Sequence, residues 1–109
     1  MDPHIVTDEG VDCSVIEVGG EIDVYTAPQM RDAISDALQA RPRVVVDTTR
    51  VTFMDSTGIN VLFNAHKQAT ENGGWLRLVA REGTVLKVLR LCGLDTKIPV
   101  FSSVDDAQR

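Results

Sequence analysis

The feature that most limits the fold of this chain is a regular alternation of apolar strand-like runs with amphipathic helical stretches. Their order is β-β-α-β-α-β-α-β, followed by a helical turn at Ser103 to Ala107. Helices that alternate with apolar strands indicate an open α/β sheet with a largely parallel centre and right-handed crossovers. A length of 109 residues fits one compact domain. We therefore predict a single α/β domain over residues 1–109, a mixed and largely parallel sheet of about four to five strands with three to four helices packed on it.

The strand predictions rest on short apolar runs. Val44 to Val46 is continuous and β-branched, which is typical of a central strand buried on both faces. Val11 to Val18 changes its phase of alternation at Ile16, which indicates either a bulge or burial on both faces. Gly19-Gly20 is expected to end that strand. The other predicted strands are His4 to Thr7 at an edge, Trp75 to Val79, and Ile98 to Phe101.

Three amphipathic stretches predict the helices. The first follows Thr26, which is expected to form a capping box with Gln29, and Arg41-Pro42 ends it. The second runs from the Asp55-Ser56 segment through Thr70 and stops at Asn72-Gly73-Gly74. The third has an apolar stripe formed by Val85, Leu86, Val88 and Leu89. Gly93 is expected to follow its end as the C′ residue, with an apolar contact from Leu94.

Charge and hydropathy narrow the functional classes. Acidic residues outnumber basic ones 16 to 11, giving a formal net charge of −5, and such a surface is a poor match for nucleic acid. No apolar run approaches the roughly 18–20 residues of a membrane helix, and the N-terminus does not have the pattern of a signal peptide. A cytoplasmic protein without membrane association is expected. The basic side chains are interpreted as a solvated set: Lys67, Arg77, Arg81, Lys87 and Arg90.

Metal and redox chemistry find little support in the sequence. Cys13 and Cys92 each lie among apolar neighbours and are predicted to be buried thiols. His4 and His66 do not add a set of ligands at metal spacing. A cluster of carboxylates that binds a hard cation at one end of the sheet is a minor alternative, formed by Asp23, Asp47 and Asp55.

The segment Asp55-Ser56-Thr57-Gly58 carries the most functional information, because it falls at the predicted start of a helix. One interpretation is an N-cap, in which Asp55 or Ser56 accepts from the first backbone N–H groups. The other is a hydroxyl at a helix end that tolerates a phosphate. The segment does not fit a hydrolase elbow or a phosphate-binding glycine loop. His66 lies about 15 Å further along the helix, too far to act as a base for Ser56.

Three segments resemble the STAS-domain anti-sigma-factor antagonists of bacteria. VGGEIDVYTAP at Val18 to Pro28 is similar to the family's G-E-[IL]-D … T-A-P stretch. FMDSTGI at Phe53 to Ile59 is similar to its phosphorylation segment, F-[ML]-D-S-[ST]-G-L. Leu76 to Leu94 matches its L-x-L … L-x-[KR]-[VI]-[FL] … [TC]-G-L pattern. In this order and spacing the motifs are specific, and they span about Val11 to Phe101.

The resemblance implies a regulatory binding protein. Members of this family bind an anti-sigma factor, usually a small serine kinase with an ATPase fold of the histidine-kinase type, and this frees a sigma factor. The kinase inactivates the antagonist by phosphorylating the serine that corresponds to Ser56, and a phosphatase restores it. Thr57 is the alternative acceptor. On this resemblance the chain is a substrate and binding module, not an enzyme, and needs no cofactor of its own.

The resemblance also nominates residues that contact the partner: Asp23, Tyr25, Thr26, Asp55, Ser56, Thr57, Gly58 and Asn60. Simpler roles remain open for some of them. Asp23 could serve simply to cap the loop before Thr26, without contacting the partner, and Tyr25 could be a lid on the core. Trp75 is expected to be a packing residue. Asn60 stands where many relatives have Gly, and it either narrows partner choice or raises helix propensity.

Phosphorylation of Ser56 would act by charge. It adds about −1.5 to −2 charges, next to Asp55, and an acidic partner surface would be repelled there. Two other functional classes stay open. One is a non-switching STAS module of a lipid-transport or stress-sensing complex. The other is an enzyme or small-molecule binder, for which the sequence offers no nucleophile–base pair.

Overall fold

The computed structural model describes residues 3–10 and 12–109. This part of the chain forms one five-stranded sheet, in the order β1-β2-β3-β4-β5. β1 pairs antiparallel with β2, and the other neighbouring pairs are parallel. The mixed, largely parallel sheet predicted from the sequence is confirmed. The strands are β1 (His4–Glu9), β2 (Ser14–Ile22), β3 (Arg43–Met54), β4 (Trp75–Val79) and β5 (Val100–Phe101).

Four helices and a short 3-10 turn at Leu94–Thr96 connect and cover the strands of the described residues. They are α1 (Ala27–Ala40), α2 (Ser56–Glu71), α3 (Thr84–Leu91) and α4 (Val104–Gln108). The predicted order of strands and helices is confirmed, including the last short helix, where Ser103 accepts from the Asp106 amide at 3.2 Å. In the described part of the chain, no helix has the length and apolarity needed to cross a membrane.

Both faces of the sheet are covered. Successive side chains of its central strands point to opposite faces, so each face presents apolar groups to a cluster of its own. Val44 and Val46 belong to the larger core cluster, which α1, α2 and α3 line with Met30, Leu62 and Leu89. Val45 points to the other face and packs in a smaller cluster with Cys13, Val79 and Ala107, the last of which belongs to α4. The sequence predicted this burial on both faces for the Val44–Val46 run.

The prediction that Gly19-Gly20 ends β2 is wrong. The strand continues to Ile22, and its register with β3 shifts between Glu17 and Gly19 and again between Gly20 and Glu21. Gly20 has φ +85°, and a Cβ on Gly19 would lie 3.1 Å from Arg50 Cβ. The glycines therefore allow irregular pairing inside the strand.

The phase change at Ile16 reflects burial on both faces. Ile16 and Val18 belong to the larger core, whereas Val15 packs against the smaller one. The register shifts come later, after Glu17. The observed strand begins at Ser14, and Val11, at the start of the predicted one, lies outside the described residues.

β3 is much longer than the strand predicted at Val44 to Val46. It extends over twelve residues to Met54 and leads directly to Asp55. Polar residues in its second half concealed it from the hydrophobic pattern. Thr48 is buried there, and its hydroxyl donates to the Val79 carbonyl at 2.7 Å, which satisfies the polar group inside the sheet.

Two further local predictions require correction. Thr26 precedes α1 but makes no side-chain capping bond, so the predicted capping box does not form. Cys92 is exposed, whereas Cys13 is buried as predicted. Gly93 does adopt the left-handed conformation expected after α3, with φ 72°, and Leu94 is buried beside it.

Arg77 fastens α4 to the sheet and is not simply solvated. Its guanidinium lies 3.8 Å from the ring centroid of Trp75. It also donates to the carbonyl oxygens of Ala107 and Arg109, at 3.0 and 2.7 Å. Arg90 likewise has a partner, since its guanidinium makes two hydrogen bonds to Glu82.

Candidate functional site

The candidate site lies where the carboxyl ends of β2 and β3 meet. Ile22 pairs with Met54, and the amide of Asp55 donates to the Ile22 carbonyl at 3.1 Å. The Asp23–Thr26 loop leaves β2 here, and α2 begins directly after β3. Ligands of open α/β sheets characteristically bind at this edge. We call the surface formed by residues 23–26 and 53–60 the serine edge.

Asp55 is the N-cap of α2. Its backbone is extended, and its side chain accepts hydrogen bonds from the amide of Thr57, at 2.9 Å, and from the Thr57 hydroxyl. The hydrogen bond from the Thr57 side chain, together with those from backbone amides, holds the pKa of the Asp55 carboxyl below its usual range. The capping interpretation is therefore confirmed, with Asp55 as the capping residue.

Ser56 is the first residue of α2 and is exposed. Its hydroxyl makes no hydrogen bond to any residue that the structure describes, whereas the neighbouring hydroxyl of Thr57 is engaged by Asp55. A cap at Asp55 and a free hydroxyl at Ser56 thus coexist. Between the two hydroxyls, that of Ser56 is the more accessible to a modifying enzyme.

Gly58 supports the edge from below. It is buried, and a Cβ at this position would lie 2.6 Å from Met54 Cγ and 2.9 Å from Ile22 Cγ2. The absence of a side chain lets the first turn of α2 pack closely on the ends of β2 and β3. Asn60, two residues further on, is exposed.

The loop before α1 is tied by the side chains of Asp23 and Thr26. Asp23 Oδ1 accepts from the amides of Tyr25 and Thr26, at 2.9 and 3.2 Å. Thr26 is buried, and its hydroxyl donates to the Glu21 carbonyl at 2.7 Å and accepts from the Asp23 amide at 2.9 Å. The loop-capping role of Asp23 is confirmed.

Large apolar and aromatic side chains of the serine edge project into solvent. Tyr25 is 84% exposed, so its interpretation as a lid on the core is wrong. Val24 and Phe53 are 60% and 46% exposed, and neither was among the partner-contact residues predicted from the sequence. Alternation in β3 could have identified Phe53, because its neighbour Met54 is buried.

A hard-cation site formed by three aspartates does not exist in the structure. Asp47 lies in the first half of β3, roughly 26 Å along the strand from Asp55 at about 3.3 Å per residue. Its carboxylate accepts from the Thr49 amide at 2.9 Å. Among residues 3–10 and 12–109, no three His, Cys, Asp or Glu side chains are grouped so that they could hold a metal ion.

Comparison with known proteins gives consistent matches. The family model for the STAS domain matches residues 2–107. Anti-sigma-F factor antagonist RsfB of Mycobacterium tuberculosis is 30% identical over 95 residues, which cover 86% of this chain and 77% of RsfB. The crystal structure of an anti-sigma factor antagonist from Mycobacterium paratuberculosis aligns with a TM-score of 0.89 and 30% identity, over 97% of this chain and 91% of that one.

The fold is also that of SpoIIAA, an anti-sigma factor antagonist and Bacillus cell fate determinant. Its unphosphorylated form aligns with a TM-score of 0.81 and 24% identity, over 96% of this chain and 93% of that one. Its phosphorylated form gives 0.75 and 23%, over 97% and 98%. Both forms of SpoIIAA therefore share the architecture described above.

Proposed function

The chain belongs to the STAS domain family, and from this premise we propose that it is an anti-sigma-factor antagonist, which binds an anti-sigma factor and so releases a sigma factor. The similarity to proteins named as such antagonists over most of their length supports this function. The observation that carries the proposed switch is the exposed, uncommitted hydroxyl of Ser56 at the start of α2.

Phosphorylation of Ser56 would turn binding off. A phosphate is favoured at a helix N-terminus by the helix dipole and by backbone N–H groups that lack helical partners. The fold should therefore accept it without rearrangement. Because Asp55 lies next to it with a lowered pKa, the new charge would add to an existing one, and an acidic surface on the partner would be repelled.

The proposed partner is an anti-sigma factor that is also a serine kinase with an ATPase fold of the histidine-kinase type. A serine phosphatase would reverse the modification, and both steps would take place in the cytoplasm. The chain itself would act as substrate and ligand, without catalytic activity or a cofactor. In support, His66 lies about 15 Å further along α2, too far to act as a base for Ser56.

The proposed contact surface is the serine edge. Its exposed members would touch the partner directly, with Val24 and Phe53 added to the residues that the sequence suggested. Thr26 and Gly58 are buried, so they would contribute by shaping the edge. The exposed members of the serine edge are Val24, Tyr25, Phe53, Ser56 and Asn60.

The test uses purified protein, unmodified and as Ser56→Asp, as paired baits in extract of its own source, with mass spectrometry of what each retains. We expect the unmodified bait alone to retain a small ATP-binding kinase. That kinase, with ATP, should then phosphorylate the wild type and Thr57→Val but not Ser56→Ala, which should still bind.

Three results would contradict the proposal. If both baits retain the same kinase with equal affinity, Ser56 is not a switch. If both retain a transporter subunit instead, the chain is a non-switching STAS module. Phosphate transfer to Ser56→Ala but not to Thr57→Val would place the modification on Thr57.

A further inference from the structure

We propose that Asp23 affects partner binding through the shape of the loop that it closes and not through its charge. It is then a positioning residue for Val24 and Tyr25. The inference rests on the proposed function for its binding measurement, but the loop-holding role can be measured without a partner. It separates two roles that the sequence alone left open, a direct contact and a loop cap.

The hydrogen bonds of the loop carry this inference. One oxygen of the Asp23 carboxylate accepts from two successive amides, those of Tyr25 and Thr26. This is the Asx turn that an aspartate or asparagine side chain forms with the backbone two residues on. The carboxylate is therefore directed into its own loop and engages the backbone of the residues that follow.

A second tie closes the loop from the other side. The buried hydroxyl of Thr26 joins the Asp23 amide to the Glu21 carbonyl, at 2.9 and 2.7 Å. The Asp23 carbonyl also accepts from the amide of Ala27, at 2.7 Å. The loop is thus connected at both ends to regular structure, the end of β2 and the start of α1.

Val24 and Tyr25 depend on this backbone for their positions. Their side chains are 60% and 84% exposed, so packing against the core contributes little to holding them. A loop that is ordered before binding loses less conformational entropy when a partner docks. Loss of the Asx turn should therefore weaken binding through Val24 and Tyr25, even where Asp23 touches nothing on the partner.

Asparagine separates shape from charge. Its side-chain oxygen can accept the same two amide hydrogen bonds, but it carries no charge. Asp23→Asn should keep the loop, whereas Asp23→Ala should lose it. Thr26→Ser and Thr26→Val form a second matched pair, because serine retains the hydroxyl and valine replaces it with a methyl group of similar size.

The partner-free measurement is amide hydrogen exchange at Tyr25 and Thr26 by NMR. We expect faster exchange at these amides in Asp23→Ala and rates close to wild type in Asp23→Asn. Thr26→Val should accelerate exchange at Asp23, and Thr26→Ser should not. Melting temperatures of all four variants show whether the whole domain stays folded. Equal exchange in Asp23→Ala and wild type would overturn the proposal.

The binding measurement uses calorimetry with the anti-sigma factor that wild-type bait retains. Loss of the turn should weaken binding about tenfold in Asp23→Ala, equivalent to about one hydrogen bond, and less than about twofold in Asp23→Asn. Adding Asp23→Ala to Tyr25→Ala should cost less than the two single effects combined, because both changes act on the same contact.

A direct charge contact predicts a different pattern. Asp23→Asn would then weaken binding as much as Asp23→Ala, and its effect would diminish at high salt. That result would overturn the positioning role. If wild-type protein retains no anti-sigma factor, the proposed function fails, and the exchange rates still decide whether Asp23 holds the loop.

Discussion

At the scale of single residues, the serine edge assigns different tasks to adjacent side chains. Asp55 uses its carboxylate, and Thr57 its hydroxyl, to complete the first turn of α2. Ser56, between them, keeps its hydroxyl free and exposed. A modification at Ser56 would therefore leave the capping hydrogen bonds in place, whereas one on the Thr57 hydroxyl would remove the bond that this hydroxyl donates to Asp55.

The first prediction concerns the cap. Asp55→Ala should lower the free energy of unfolding at neutral pH by about 0.5–2 kcal/mol, whereas Asp55→Asn should cost much less because asparagine also caps well. Chemical denaturation followed by circular dichroism measures both. A loss in Asp55→Asn as large as in Asp55→Ala would show that the carboxylate charge, rather than the cap, matters.

The same residue makes stability depend on pH. The pKa of Asp55 is lower in the folded state than its ordinary value, so its stabilising effect is complete above the ordinary carboxyl range. It is lost as the pH falls through the lowered pKa. The difference in unfolding free energy between wild type and Asp55→Asn should therefore shift in favour of the variant on acidification from pH 6. A constant difference between pH 6 and pH 2 would contradict this assignment.

Gly58 gives a third prediction at the scale of single residues. A Cβ there meets Met54 Cγ at 2.6 Å and Ile22 Cγ2 at 2.9 Å, and neither atom is the free end of a flexible chain. Overpacking costs about 1–3 kcal/mol, against about 1 kcal/mol gained by replacing a helical glycine. Gly58→Ala should therefore be destabilising in urea denaturation. Asn60→Ala, at an exposed site of the same helix, is the control and should be neutral or slightly stabilising.

At the scale of elements, β2 and β3 both extend beyond their apolar runs until they reach the serine edge. Periodicity predicted the helices and the buried halves of these strands well, since Met30, Ile34 and Leu38 repeat with the helical period. It could not predict the second half of β3. There, pairing with β2 and the hydrogen bond of Thr48 hold polar residues in a strand.

The candidate site, too, could be predicted from the sequence only in part. The Asp55 cap and the position of the segment at a helix start followed from local sequence, because capping is a property of a few neighbouring residues. The loop tie at Thr26 did not, because its hydroxyl bonds to Glu21, five residues back along β2, instead of capping α1. The sequence pattern of a capping box does not distinguish these two uses of a threonine.

Arg77 supplies an element-scale prediction. It binds the end of α4 through two carbonyl oxygens and stacks on Trp75. Arg77→Ala should lower the free energy of unfolding by about 1–2 kcal/mol, the sum expected for a partly exposed stacking contact and a net hydrogen bond. Thermal and urea denaturation measure it. Arg81→Ala, at an exposed position, is the control, and an equal loss in both variants would contradict a specific role for Arg77.

At the scale of the whole molecule, the negative charge of the chain is the setting in which the proposed switch would act. The formal net charge is −5, and a phosphate adds about −1.5 to −2. The change in net charge is modest, so its effect must come from where it is placed. On the serine edge the added charge would stand beside Asp55, at short range from the charges of a docked partner.

The salt dependence of binding tests whether the proposed switch acts through charge. Ser56→Asp should weaken binding to the anti-sigma factor, and the weakening should diminish as salt rises, because the Debye length falls from about 10 Å at 0.1 M to about 3 Å at 1 M. Ser56→Asn, similar in size but neutral, should bind nearly as well as wild type at every salt concentration. If Ser56→Asn weakens binding as much as Ser56→Asp, the switch is steric.

The agreement between strand order and chain order has a consequence for how the molecule is made. Each strand from β2 onward pairs with the strand that comes immediately before it in the chain, so its partner has already left the ribosome when it emerges. All residues of the serine edge lie between Asp23 and Asn60, and both of its helices are complete at Glu71. The growing chain therefore carries every residue of the edge before β4 and β5 are synthesised, and the later segments widen the sheet on the far side and complete its cover with α3 and α4.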